Sequence, residues 1–187
     1  MTVLLVACQP AGPSVAPGGS LGPTAGGALG NRLQPVGPML VARAVHTETT
    51  LSDGRVLIAG GCTTDGCTLG SSGGATAELF DPLTRRFSAT GRMLLSRDDH
   101  RAVLLNDGRV LVAGGFGAES TAEIYDPVSN SWTSAGSLLD ARLGHSATLL
   151  ASGQVLLVGG SRSEPAGYLA NAERYDPSAN RWVAAIV

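Results

Sequence analysis

The sequence predicts an all-β protein built from three copies of a four-stranded antiparallel unit. Three observations carry that reading. No stretch of ten or more residues sets apolar side chains at a 3.6-residue period, so helix is nearly absent. From about Leu33 onward, short apolar runs alternate with Gly, Asp-Gly and Asp-Pro punctuation, the pattern of many short strands. The same ordered set of residues then returns three times.

The elements follow in chain order. Residues 1–8 are apolar and end at Cys8. Residues 9–32 are rich in Pro and Gly, cannot bury a core, and read as a tether. The repeat region spans 33–187. Each unit opens on Arg-x-x-His: Arg43 and His46, Arg97 and His100, Arg142 and His145. A first strand follows, over 46–51, 100–105 and 145–150. Asp53-Gly54, Asp107-Gly108 or Ser152-Gly153 closes it, as the positive φ of a two-residue hairpin turn requires. The second strand is a Val/Leu/Ile run ending in Gly60-Gly61, Gly114-Gly115 or Gly159-Gly160. Apolar at nearly every position, it is expected to be buried on both faces. A loop of variable length leads to the third strand, Ala-Glu-x-aromatic. Asp81-Pro82, Asp126-Pro127 or Asp176-Pro177 stops that strand, because proline removes a ladder donor. The fourth strand carries Phe87, Trp132 or Trp182. The units occupy about 40–92, 93–137 and 138–187. Residues 33–39 repeat the spacing of Phe87-x-x-x-Gly91-x-Met93 and read as the last strand of a preceding unit.

The ordered set of Gly-Gly, Glu-x-aromatic-Asp-Pro and a closing Trp or Phe resembles the kelch motif in its bacterial, galactose-oxidase-like form. The resemblance covers about residues 33–187. It implies four-stranded blades arranged radially in a β-propeller. Three blades make an incomplete propeller, because closed members of the family carry more. Both ends would then expose blade faces and their apolar groups. A fragment of a longer protein, a pair of chains making about six blades, or an open arc capped by the tether would each answer that exposure.

Composition narrows the function. Thirteen cations, all Arg, stand against 15 acids, for a net charge of -2. With no basic excess to neutralise phosphates, nucleic acid is not an expected partner. A polybasic membrane patch is excluded on the same ground. No apolar run approaches the length of a spanning helix.

Three cysteines carry separate expectations. Leu5-Val6-Ala7-Cys8 resembles the lipobox of bacterial lipoproteins, which implies lipidation at Cys8 and a cell-envelope location. Cys62 and Cys67 share one short loop. A metal site would need four ligands and no His lies near in sequence, so a disulfide is the better reading. It would close a small ring, stabilise by roughly 2 kcal/mol, and imply an oxidising compartment.

Residues common to all units are expected to be structural. These are the three Arg, the three His, Glu78, Glu123 and Glu173, the turn aspartates, and the aromatics. Residues that break the repeat are better candidates for binding. Glu48 stands where the sister units have Ala102 and Ala147, and is expected to point into the central channel. Asp98 and Asp99 form an acidic pair where the others have Ala44-Val45 and Leu143-Gly144. The loops 62–75, 116–121 and 161–170 differ in length and should emerge on one face, where repeat scaffolds place ligand contacts. Phe116 and Glu119 in the second, and Arg162, Glu164 and Tyr168 in the third, are the candidate contacts.

The resemblance to galactose oxidase implies a copper site of Tyr and His ligands with a Tyr–Cys crosslink. Here Tyr168 is the sole tyrosine outside the motif and no cysteine suits the crosslink. No nucleophile elbow, Walker loop, His-Glu-x-x-His or dinucleotide fingerprint is present. The expectation is therefore an exported binding module, not an enzyme, without cofactor, that engages a protein or carbohydrate. A membrane would be met only through a lipid anchor, and a homodimer could complete the ring. Two other readings are a fragment of a galactose-oxidase-like copper enzyme with its catalytic blades elsewhere, and a purely structural envelope protein.

Overall fold

The computed structural model describes residues 35–63 and 72–185. Cys8, Cys67 and the 9–32 tether lie outside the described residues. Contacts divide the chain into Met1–Pro35 and Val36–Val187, and the fold below is that of the second unit.

Every regular element among the described residues is a strand, apart from one 3-10 turn at Ser72–Ala75. Blade 1 comprises β1 (Thr47–Thr50), β2 (Val56–Ala59), β3 (Ala77–Asp81) and β4 (Arg86–Ala89). Blade 2 comprises β5 (Arg101–Leu104), β6 (Val110–Ala113), β7 (Thr121–Asp126) and β8 (Ser131–Ser137). In blade 3, β9 (Ser146–Leu149) and β10 (Val155–Val158) are followed by a small hairpin, β11 (Ser161–Arg162) and β12 (Gly167–Tyr168). The blade ends with β13 (Ala172–Asp176) and β14 (Arg181–Ala184). Each four-stranded sheet is an antiparallel meander in chain order.

The first turn of each blade differs from the two-residue hairpin expected. Leu51 N–H donates to Arg55 O at 2.8 Å and Gly54 N–H to Leu51 O at 3.0 Å, enclosing three residues. Only the glycine has positive φ, at +88°, +86° and +83° for Gly54, Gly108 and Gly153. This is the three-residue hairpin, in which a glycine closes a type I turn as a bulge. Asp53 fits it as an acceptor: its carboxylate receives Arg55 N–H at 2.9 Å and Arg55 Nε–H at 2.8 Å.

The blades pack face to face. Alternation along each strand gives every blade a leading face, toward the preceding blade, and a trailing face, toward the next. Leu57, Ala59 and Leu79 on the trailing face of blade 1 meet Ala102, Val112, Tyr125 and Trp132 on the leading face of blade 2. Leu111, Ala113 and Ile124 meet Ala147, Leu157, Tyr175 and Trp182 in the same way. The closing Trp also ties blades by hydrogen bonds. Trp132 Nε1–H donates to Gly91 O, and Trp182 Nε1–H to Ala135 O, both at 2.9 Å. The expected two-sided burial holds for β6, and blade 3 shows its limit. Among the described residues none packs on the trailing face of blade 3, where Val158 is 43% exposed, whereas its counterparts Ala59 and Ala113 are each 1% exposed.

The glycine pair follows from this packing. A Cβ on Gly114 would lie 2.4 Å from Arg142 O and 2.9 Å from His145 Cε1 of the next blade. A Cβ on Gly115 would lie 2.4 Å from Asp98 O and 2.6 Å from His100 Cβ of its own blade. The first glycine admits the neighbour's Arg-x-x-His segment and the second admits the blade's own. Gly115 N–H, at the same junction, donates to Arg142 O at 2.9 Å.

Candidate binding face

The loops after the glycine pairs leave from equivalent places. Isolated bridges join Ala44 to Cys62, Asp98 to Phe116 and Leu143 to Ser161, one per blade. Each variable loop therefore starts beside its own blade's Arg-x-x-His segment. The residue before each His adopts left-handed backbone: φ is +57° at Val45, +50° at Asp99 and +60° at Gly144. Asp99 N–H donates to Val45 O, and Gly144 N–H to Asp99 O, both at 3.2 Å. These bonds stitch the three segments into one rim.

The motif charges hold this rim from beneath. Arg43, Arg97 and Arg142 pair with Glu78, Glu123 and Glu173 of the same blade, at 2.7, 2.6 and 2.7 Å. All six side chains are buried. Each guanidinium also donates to the carbonyl of the first glycine, at 2.6 Å for Gly60, 2.7 Å for Gly114 and 2.8 Å for Gly159. Each carboxylate accepts backbone N–H groups of the incoming segment, such as Leu94 at 2.6 Å and Leu95 at 3.1 Å on Glu123. A buried ion pair satisfied in this way is a clamp, and removing one partner leaves a buried charge.

The histidines lie at the blade junctions. His100 Nε2 contacts Thr47 Oγ1 of the preceding blade at 2.9 Å. Burial, reinforced by the Arg97 charge, pushes His100 down to about 3 from its ordinary 6.5. His145 is pushed down to about 3 by burial and then by Arg142 and Arg101. Among the described residues neither nitrogen of His145 has a hydrogen-bond partner, and Arg101 stands at the place that Thr47 holds one junction earlier.

The candidate contacts divide into those the fold gathers and those it does not. Glu119 joins two variable loops: its carboxylate accepts Ser163 Oγ–H at 2.5 Å and Ser163 N–H at 3.1 Å. Phe116, half-buried, bridges to Asp98. Burial, and then the neighbouring Asp99, raise the Asp98 carboxyl above the usual range. Asp99 lies 3.6 Å from Arg101 Nη1. Arg162 sits on the β11–β12 hairpin with its Nε buried and unpartnered. Glu164 is exposed at the hairpin turn, and Tyr168 projects from β12 at 93% exposure. Of the first loop, 62–75, only its ends are described.

Glu48 is not in the channel. Its counterparts Ala102 and Ala147 pack on the preceding blade, so Glu48 points from the leading face of blade 1, where its side chain is 68% exposed. Side chains of a radial sheet point at neighbouring blades, and only its inner edge faces the axis. Ser163 and Arg101 were missed. Arg101 breaks the Thr47 and Ser146 position as plainly as Glu48 breaks its own, whereas nothing in the sequence singles out Ser163.

At the opposite end, grooves of about 460 and 330 Å³ run between the hairpin turns of adjacent blades. Asp53, Arg55 and Asp107 line the first, and Asp107, Arg109 and Gln154 the second. In both, the guanidinium is paired with the aspartate of its own turn.

The kelch motif family model matches residues 100–139 and 142–185. No curated protein matches the sequence. Among the solved structures that do match is one described as a novel fungal alcohol oxidase with catalytic diversity among the AA5 family, in complex with copper. It is 22% identical and superposes with a TM-score of 0.62 over 80% of this chain. The present chain spans 31% of that structure's length. The likeness is one of fold. A copper ion needs several converging His, Cys, Asp, Glu or Tyr donors. Among the described residues no three His, Cys, Asp or Glu gather in that way. His100 and His145 are buried between blades, and Tyr168 stands in solvent. The described residues do not fit copper.

Proposed function

We propose that this kelch-repeat chain of propeller blades is an interaction module that engages a protein or glycan through the rim formed by its variable loops. The observation that carries the reading is the Glu119–Ser163 junction. It ties the second loop to the third and makes one surface of two insertions that differ between blades. The surface offers a phenol at Tyr168, a guanidinium at Arg162, and carboxylates at Asp98, Asp99 and Glu164. Mixed aromatic and charged groups on a rigid scaffold suit recognition more than catalysis. Export, with a lipid at Cys8 and a disulfide between Cys62 and Cys67, belongs to the same proposal and rests on the sequence.

The test is a glycan and peptide array probed with the full chain, alongside Tyr168→Ala, Arg162→Ala and, as a distant control, Leu83→Ser. Ligands that Tyr168→Ala and Arg162→Ala both lose, and that Leu83→Ser retains, support the rim. Ligands retained by both rim variants refute it.

A second reading is favoured by the copper-bearing neighbour. The chain would then be a segment of a larger oxidase whose metal ligands lie on other blades. Sequence beyond these residues carrying further Arg-x-x-His and Gly-Gly units, with a Tyr and His set, would favour it.

A further inference from the structure

Among the described residues no blade covers the leading face of blade 1 or the trailing face of blade 3, and each of these faces carries a charge that the internal junctions lack. On the trailing face, the third-strand position is Leu79 in blade 1 and Ile124 in blade 2, both packed on the next blade. Its counterpart in blade 3 is Arg174, in the same register opposite β10, with Nη1–H donating to Gln154 Oε1 at 3.1 Å. On the leading face, the buried alanines 102 and 147 have Glu48 as their counterpart. Both internal junctions are thus apolar at these places. One open face instead carries an anion and the other a cation.

Two further features mark the open faces as halves of one junction. A Cβ on Gly60 or Gly114 would strike the next blade's Arg carbonyl at 2.6 or 2.4 Å, whereas on Gly159 the nearest atom is Leu169 O at 3.4 Å. Gly159 keeps the same backbone, φ +64° against +65° and +61°, with the place of the incoming Arg-x-x-His segment free. Blade 3 also has a hydroxyl, Ser146, where Thr47 of blade 1 meets His100. On the other of these faces, His46 Nδ1 is buried with no hydrogen-bond partner among the described residues, and Nε2 lies 3.4 Å from Glu48 Oε1.

We propose that the trailing face of blade 3 receives the leading face of blade 1 from a second copy of this chain. Two such head-to-tail junctions, related by a two-fold axis, close a ring of two chains. Arg-x-x-His of one copy enters at Gly159 of the other, His46 meets Ser146, and each junction brings Glu48 and Arg174 to opposing faces. The six blades fall within the range of about four to eight that closed propellers use.

Light scattering and sedimentation of the full chain test this. The expected mass is about twice the 18.9 kDa of one chain. Glu48→Arg alone and Arg174→Glu alone put like charges at both junctions, and each should weaken the dimer at least about tenfold. An equimolar mixture of the two variants restores opposite charges at both junctions and should dimerise like the parent. That recovery separates a lost contact from a misfolded chain. Gly159→Ala is a second variant: it should weaken the dimer by blocking the incoming segment. A monomeric parent, whether its faces stay open or are covered by the N-terminal residues, overturns the proposal. So does a dimer indifferent to both charge reversals, or a mixture that fails to recombine.

Discussion

At the scale of single residues, the first glycine of each pair isolates a steric term from a backbone term. Gly114 and Gly159 share positive φ, so an alanine at either meets the same left-handed penalty of about 1–2 kcal/mol. Only at Gly114 does the new methyl also meet a backbone carbonyl at 2.4 Å, which cannot swing aside. At dilution that separates the proposed pair, urea unfolding should show Gly159→Ala costing about the left-handed penalty alone. Gly114→Ala should cost at least about 2 kcal/mol more; equal losses would show that neighbour contact does not select the glycine. The junction histidines make a second prediction. Their folded values of about 3 lie below the ordinary 6.5, so between these pH values the unfolded chain binds protons that the folded chain refuses. Stability therefore rises with pH through this window and falls as acid is added. Each histidine contributes a slope of up to about 1.4 kcal/mol per pH unit. Asp81, Asp126 and Asp176, held low mainly by hydrogen bonds from their own turns, add to the loss only in stronger acid. Melting curves from pH 7 to 4 should flatten in His100→Gln, and an unchanged pH slope would contradict the assignment.

At the scale of strands and loops, what decided legibility was whether a residue's partner lay within its own repeat. The strands, the glycine pairs and the Arg and Glu positions recur at fixed spacing, so three copies in one chain mark them as parts of the blade, while their contacts emerge only in the fold. The first turn was read one residue too short. Asp-Gly suits both hairpin types, and the choice rests on the bond from Leu51 N–H to Arg55 O, which spacing does not reveal. Glu48 does not point into the channel as its place on the first strand suggests, because side chains of a radial sheet point at neighbouring blades. Ser163 escaped because its partner Glu119 is 44 residues away in a different loop. The same logic predicts uneven protection among equivalent strands. β10 carries Val158 toward solvent whereas β6 is buried throughout. At dilution that separates the proposed pair, amide exchange should be faster at Val158 than at Ala113, since local opening exposes less apolar surface there. Equal rates would mean that the open face is covered.

At the scale of the whole molecule, the fold was nearly all legible and the binding face only partly so. Repetition specifies the blade, but ligand contacts lie in the insertions, which by definition have no second copy to compare. The assembly proposed above makes blade number a property of the pair, and concentration should then set the oligomeric mass. The buried Arg–Glu clamp bears on how such a chain can be cut and lengthened. Glu123 holds the backbone of Leu94 and Leu95 as well as the side chain of Arg97, all ahead of the first strand of its blade. The portable unit is therefore a sheet together with the strap that precedes it. A duplication or graft with its boundary at residue 100, where the first motif match begins, would part Arg97 from Glu123 and strand a buried carboxylate. Boundaries set just before Leu40, Leu94 and Leu139 would carry each clamp intact, and those are the joints at which blades of this kind can be added, removed or exchanged.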